Sequence, residues 1–225
     1  LGIIIEKQQK LDTKRIHFSL LNSKNLLLIF TRNPELGKCK TRLASKVGDE
    51  SALEIYKFLL KHTVGFTQNL NVAKQVYYSE EIWEDDLWNS LYFDKKLQTG
   101  DDLGARMANA FQDGFTSGFE KIIVIGSDMY DLRQDDIESA FSTLDKNDFV
   151  IGPAADGGYY LLGMKKFNSK LFQNKKWGSA TVFKDSLNDL VNEKLTLLDI
   201  RNDIDLYEDI ENNEVFYPFI KHMKA

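Results

Sequence analysis

Five short runs of mostly consecutive apolar residues constrain this chain most: NLLLIFT (25–31), NVAKQVYY (71–78), KIIVIGS (121–127), DFVIG (148–152) and YYLLGM (159–164). Runs of that length and pattern suit strands buried on both faces of a sheet. Longer amphipathic segments separate them. In Ser51–Leu70 the residues Leu53, Tyr56, Leu60 and Val64 share one helical face; in Asp102–Phe119 so do Leu103, Met107, Ala110, Phe111 and Phe115. Residues 134–144 and 179–193 read as two further helices. Strand alternating with helix predicts a three-layer α/β/α fold with a mainly parallel central sheet and right-handed crossovers. Ligands of such folds bind beyond the carboxyl ends of the strands, so the residues following each strand carry the functional information.

The composition narrows the setting. With 225 residues, no internal repeat and no Pro/Ser-rich linker, the chain reads as one domain over 24–225 preceded by an extension over 1–23. The extension predicts a helix from Ile3 to Leu21, with charges of alternating sign as on a solvated face and apolar residues able to pair two subunits into a homodimer. A formal net charge of −5 disfavours nonspecific binding to nucleic acid or anionic membrane. No apolar run approaches the roughly 20 residues of a membrane span. Cys39 is the one cysteine, which rules out an intramolecular disulfide or a multi-cysteine zinc site and suits a reducing, cytoplasmic setting.

After the first strand, Arg32, Lys38, Lys40 and Arg42 fall within eleven residues, in a loop bent by Pro34 and Gly37. Polyphosphate binding calls for such a set, the Arg forks reading two oxygens and Lys acting as a point charge. Gly37 lets backbone amides approach a phosphate. A solvated basic loop is the competing reading, disfavoured by its place at a strand end in an acidic chain. After the third strand, Asp128 stands where one carboxylate holds Mg²⁺ together with water and donor phosphates, or serves as a turn residue. After the fourth, Asp156 precedes Gly157-Gly158, which permits close ligand approach, and of Tyr159 and Tyr160 one faces the crevice and the other the core. A plain hairpin with an Asp-Gly turn is the alternative. Asp203 and Asp205, two apart, offer a further carboxylate for the metal or cap a helix. Asp101 or Asp102 caps a helix carrying Arg106, and Lys175, Lys176 and Trp177 precede a helix start near Ser179, a combination suited to an anionic acceptor.

These segments resemble a known family. F-x-R-x-P-x-x-G-K-x-K-T-R-L (30–43), G-x-D-L-G-x-R-M (100–107), G-S-D (126–128), G-P-A-x-D-G-G-Y-Y-L-x-G (152–163), W-x-x-x-x-V (177–182) and D-I-D (203–205) match, in order, the DUF2064 group of GT-A-fold, glycosyltransferase-like proteins related to 2-phospho-L-lactate guanylyltransferase. The resemblance implies a GT-A (nucleotide-diphospho-sugar transferase) fold. It implies a nucleotide site on the Arg32–Arg42 loop, a metal (Mg²⁺ or Mn²⁺) at Asp128 with help from Asp203/Asp205, and an acceptor or sugar site near Asp156–Tyr159 and Trp177. One departure is Tyr130, which stands where such proteins commonly carry proline.

Two transfer reactions fit these residues: nucleotidyl transfer from an NTP to a small anionic acceptor, and glycosyl transfer from a nucleotide-sugar donor. Both rest on electrostatic preorganisation around phosphates and metal, not on a protein nucleophile. The three histidines, His17, His62 and His222, lie outside every strand-end segment, and no Ser-His-Asp or Cys-His constellation is present. The dense cation loop favours nucleotidyl transfer, with Lys40, Arg42 and Asp128 as the catalytic set and Arg32, Gly37, Lys38, Asp102 and Arg106 completing the nucleotide site. Asp156, Gly157, Gly158, Tyr159, Trp177 and Ser179 form the expected acceptor site. A nucleotide sensor that does not turn its ligand over is the third alternative.

Overall fold

The computed structural model describes residues 23–223, and the expected helix from Ile3 to Leu21 lies outside them. The order of elements is β1 (Asn25–Thr31), α1 (Thr41–Val47), α2 (Asp49–Thr67), β2 (Ala73–Tyr78), β3 (Asp94–Leu97), α3 (Leu103–Thr116), β4 (Lys121–Gly126), α4 (Gln134–Thr143), β5 (Phe149–Pro153), β6 (Tyr159–Met164), α5 (Val182–Asp189) and β7 (Leu195–Leu197). Short 3₁₀ turns follow, at Tyr207–Asp209, Glu214–Phe219 and Lys221–Met223. One sheet of seven strands has the order β3-β2-β1-β4-β6-β5-β7.

Alternation along the strands feeds two cores. Leu27, Ile29, Ile123, Ile125, Val150 and Leu161 face a layer in which α2 and α4 contribute Tyr56, Leu60, Ile137 and Phe141. Leu26, Leu28, Val124, Ile151 and Leu162 face the other way, onto Met107, Ala110 and Phe111 of α3. Both faces are dry, so the strands are apolar at successive positions rather than at alternate ones. This is the expected three-layer α/β/α arrangement. Among the described residues, no helix is long and apolar enough to cross a membrane.

The sheet departs from parallel at β6, which runs antiparallel to both β4 and β5. Only residues 154–158 join β5 to β6, closed by Gly157 N–H to Ala154 O (3.1 Å) and Ala154 N–H to Gly158 O (3.1 Å). A parallel return needs a crossover of about a dozen residues or more, so this link can only be a hairpin. The helix expected over 179–193 is shorter, Val182–Asp189. Two short outer strands, DKKL and LTL, carry too little apolar signal to show in the sequence; a lysine-rich strand suits the exposed rim of a sheet.

A third core fastens the C-terminal segment to α1 and α2 through Leu43, Ile55, Leu59, Ile204, Phe216 and Ile220. Tyr130 joins it: its ring meets Phe216 edge-on at 5.2 Å and lies 5.8 Å from Phe58. Tyr130, two residues after Asp128, therefore ties the Glu214–Phe219 turn to α2.

Gly152 is required by packing. A Cβ there would stand 2.3 Å from the Tyr160 ring, which lies across this point of β5. Gly152→Ala is expected to lower unfolding free energy by about 1–3 kcal/mol through overpacking, read as a reduced urea midpoint with unchanged m. An unmoved midpoint would mean that the Tyr160 ring is not held there.

Candidate active site

All the strand-end segments singled out in the sequence meet at the carboxyl end of β1 and β4. Buried hydroxyls lash the two strands together: Ser127 Oγ donates to Thr31 Oγ1 (3.1 Å), and the Tyr56 hydroxyl from α2 lies 3.3 Å from each. The Arg32 amide donates to that same phenol oxygen at 2.9 Å, so the basic loop leaves β1 from a fixed point. Cys39, buried, packs its thiol against the Glu35 carbonyl and holds the loop's far side.

The loop ends at Lys40, which adopts a left-handed backbone conformation (φ 50°, ψ 44°) on entry to α1. For a residue with a Cβ this costs of order 1 kcal/mol or more, and such strain persists where surrounding contacts over-determine it. Here the contact is ionic. The Lys40 ammonium, 5% exposed, lies 2.8 Å from Asp128 Oδ2 and 3.9 Å from Asp205 Oδ1. Burial opposes its charge, but Asp128 (by charge and hydrogen bond), with Asp205 and Asp203, outweighs burial and raises its pKa. Arg42, mostly exposed, pairs with the other oxygen of Asp205. That oxygen, Oδ2, is buried and receives no aligned hydrogen bond.

Asp203 and Asp205 arrive on a segment that extends the sheet beyond β7. Arg201 pairs with Ala154 in a parallel bridge, its amide donating to Pro153 O (3.1 Å) and its carbonyl accepting from Ala155 N–H (2.9 Å). Asp209 then caps the turn, accepting from the amides of Asp205 (2.9 Å) and Leu206 (2.6 Å). Burial first, and then the charge of Asp128, pushes Asp203 up to about 6; Lys40 opposes this, and Asp156 and Asp205 add to it.

Two cavities open on either side of Asp128. The larger, about 670 Å³, is lined by the basic loop (Arg32, Lys38, Lys40, Arg42), by Arg106 from α3 and by Asp205. The smaller, about 240 Å³, takes Met107, Tyr159, Trp177 and Val182 on its apolar side and Asp156 and Asp203 on its polar side. Phe30, Leu103, Gly126 and Asp128 line both. A Cβ on Gly126 would stand 2.8 Å from the Asp128 carboxylate, so the glycine is what lets that carboxylate fold back over the strand end.

Several of the expected site residues have structural contacts of their own, Asp102 in the capping role also expected of it. Asp102 is the N-cap of α3, accepting from Ala105 N–H at 2.8 Å, and does not line the larger cavity. Gly37, at φ 73°, turns the loop and likewise stands outside the lining. Gly157, at φ 89°, makes room for the Ala180 backbone, which a Cβ would meet at 2.4 Å; it docks the Ser179–Thr181 lead-in to α5 onto the hairpin. Gly158, Ser179 and Trp177 do line the smaller cavity. Lys175 turns away and is buried against Asp189, so the expected pair of cations at the acceptor side is not formed.

Gln98 emerges as a positioning residue that sequence reasoning passed over, although it lies two residues before the motif containing Arg106. Its amide donates to Thr31 O (3.2 Å) and Tyr77 O (2.9 Å), and its oxygen accepts from Arg106 (3.3 Å). Its signal was position alone, one residue past a strand too short to recognise. Gly104 explains another motif letter: a Cβ there would strike the Trp177 indole at 2.4 Å.

As to a divalent cation, the donor set is chemically apt: hard carboxylate oxygens, one of them the unaligned Asp205 Oδ2, beside an Asp203 whose ionised form is disfavoured. Among the described residues no three carboxylates, thiols or imidazoles stand close enough to clasp an ion together. One or two carboxylates completed by water and phosphates is the arrangement Mg²⁺ ordinarily takes.

The Asp203 shift has a definite sign. Between about pH 3.9, the unfolded value, and about 6, the folded chain holds a proton that the unfolded chain has released. This residue's contribution to stability therefore falls as pH rises through that window. In a metal-free buffer, Asp203→Asn should gain melting temperature relative to the parent chain from about pH 4 to 6 and hold the gain above it. Parallel curves would remove the assigned shift.

The fold recurs in solved structures. A candidate nucleotide-diphospho-sugar transferase from Desulfovibrio desulfuricans G20 superposes with a TM-score of 0.79 at 27% identity, over 90% of this chain and 96% of its own. A cytidylyltransferase from Leptospira borgpetersenii serovar Hardjo-bovis shares the fold at a TM-score of 0.51 and 17% identity, over 90% of this chain and 94% of its own. CMP:2-keto-3-deoxy-manno-octonic acid synthetase, solved with CTP, does so at 0.53 and 11%, over 89% and 100%. No curated protein matches the sequence significantly. The model of DUF2064, described as an uncharacterized protein conserved in bacteria, matches residues 65–179, beginning beyond the basic loop and ending before Asp203. That match spans just over half of the chain, which with its GT-A-type architecture belongs to the DUF2064 family.

Proposed function

We propose that this chain is a nucleotide-donor transferase that binds an NTP in the larger cavity and transfers its nucleotidyl group to a small acceptor held in the smaller one. The observation that carries this reading is the junction of the two cavities at Asp128. One side supplies several cations and a volume of about 670 Å³, within the usual range for small-molecule sites. The other supplies an apolar seat for a second reactant. A group shared by both walls is where transfer between two bound molecules has to occur.

Donor phosphates entering the larger cavity compete with Asp128 and Asp205 for Lys40 and Arg42. With those cations turned to the phosphates, Asp128 and Asp205 would be free to hold a divalent ion, with Asp203 nearby. When bound, that ion supplies charge neutralisation on the phosphates. Arg32 and Arg106 orient the polyphosphate chain, Arg106 being steered by Gln98. The acceptor oxygen then attacks the α-phosphorus. A new P–O bond forms, the bond to the bridging oxygen breaks, and pyrophosphate leaves with the electron pair; the acceptor's proton, where it has one, passes to a carboxylate or to water. Catalysis in this scheme is positioning and preorganised charge.

Glycosyl transfer is the second reading. It is favoured by the Desulfovibrio neighbour, named for nucleotide-diphospho-sugar transfer, and by the Tyr159–Trp177 pair (edge-on, centroids 6.5 Å apart), which offers aromatic faces to a sugar.

Incubating the chain with each NTP or nucleotide-sugar, Mg²⁺ and a mixed acceptor pool separates the two. Pyrophosphate release supports nucleotidyl transfer, nucleoside diphosphate release glycosyl transfer, and neither product removes the transferase reading. Arg32→Ala, at an exposed position, is expected to weaken NTP binding about tenfold or more by calorimetry, a loss of roughly 1.4 kcal/mol or more, without changing the melting temperature. Lys40→Ala should weaken binding at least as much. Unchanged affinity in both variants would take the loop out of the donor site.

A further inference from the structure

We infer that the acceptor carries no negative charge: the smaller cavity is built for an uncharged or cationic hydroxyl compound with an apolar face, not for a phosphorylated or carboxylic acid. This rests on the two-cavity reading above and names the class of molecule that fills its second half.

The charge inventory of the cavity carries the inference. The charge-bearing side chains of its lining are acidic throughout: Asp128, Asp156 and Asp203, with no Lys, Arg or His. None of the cations on the surrounding elements lines the cavity, and several are held elsewhere. Lys175 is buried on Asp189, and Arg201 is held by the Asp131 carbonyl and Asp136. Arg106 is tied to Gln98 and the Gly100 carbonyl on the donor side. Lys176 is exposed and outside the lining. Lys40 meets Asp128 from the donor side of the junction and does not line this cavity.

Away from the divalent ion proposed at Asp128, an anion placed here would lose its hydration with no protein cation in the lining to pair with it, beside Asp156 and Asp203, an arrangement that is costly in a partly apolar site. A hydroxyl or ammonium group finds the opposite. Carboxylates are pure acceptors. Asp156 spends Oδ1 on the Gly158 amide (2.8 Å) and keeps Oδ2 for a ligand donor. Opposite lie Phe30, Leu103, Met107, Tyr159 and Trp177, an apolar and aromatic wall suited to the C–H face of a ring compound or to a cation.

Matched pairs test this directly. The full-length chain, loaded with Mg²⁺ and a non-hydrolysable NTP analogue, is titrated by ligand-observed NMR with unphosphorylated sugars, amino sugars and glycerol, and with the phosphate ester of each. Nucleotide binding is recorded in the same samples. The expected result is at least tenfold tighter binding of the unphosphorylated member in one or more pairs. Asp156→Asn and Trp177→Ala should weaken it by about tenfold while leaving nucleotide affinity unchanged; Asp156 is exposed, so its variant is expected to fold. Nucleotide binding with preference for the phosphate esters overturns this inference alone, as does nucleotide binding with no member of either set bound. Failure of the nucleotide itself to bind overturns the two-cavity reading beneath it.

Discussion

The site depends on one buried ammonium. Lys40 is nearly inaccessible and answers to carboxylates from two distant parts of the chain, Asp128 after β4 and Asp205 near the C-terminus. Without those partners a buried lysine would lose its charge; with them it fixes the end of the basic loop, the strand end and the C-terminal segment at one point. Removing one member of such a pair leaves an uncompensated buried charge and costs about 3–5 kcal/mol where burial is complete. Here the carboxylates keep partial access to water, so the cost is smaller and the cluster can rearrange. A cation held by two acids is also one that a polyphosphate can capture.

The scaffold serves that point. Hydroxyls of Thr31, Tyr56 and Ser127 hold β1 and β4 in fixed relation beneath it. The antiparallel β6 turns the Ala154–Gly158 hairpin toward the same edge, bringing Asp156 and Tyr159 to face α3. The Arg201 bridge carries Asp203 and Asp205 across from the far side of the sheet. Segments from distant parts of the chain thereby converge between two cavities of contrasting chemistry, one basic and one apolar with acids.

Much of this was legible in the sequence because the signals were local. The strand over Asn25–Thr31 follows from seven residues with hardly a polar break, and Asp128 announces itself by standing just past another such run. What stayed hidden was non-local. Nothing near Lys175 says that it turns onto Asp189, fourteen residues on, and so the acceptor side looked cationic. The direction of YYLLGM is set by the length of the link before it, not by its own residues, whose periodicity is the same for parallel and antiparallel pairing once both faces are buried. The cap at Asp102 was legible from its place before α3, whereas only the fold shows that Gly157 admits the neighbouring Ala180 backbone. In the sequence Tyr130 shows only as a departure from proline; the arrival of Phe216 shows it as a packing residue.

The most direct measurement is a crystal structure of the chain with Mg²⁺ and a non-hydrolysable NTP analogue. The account predicts the triphosphate in the larger cavity, with Arg32 and Arg42 on its oxygens, the α-phosphorus facing the smaller cavity beside Asp128, and Lys40 moved from Asp128 to a phosphate. A nucleotide bound elsewhere, or one seated there with the Lys40–Asp128 pair intact and no ion between phosphate and carboxylate, would contradict it.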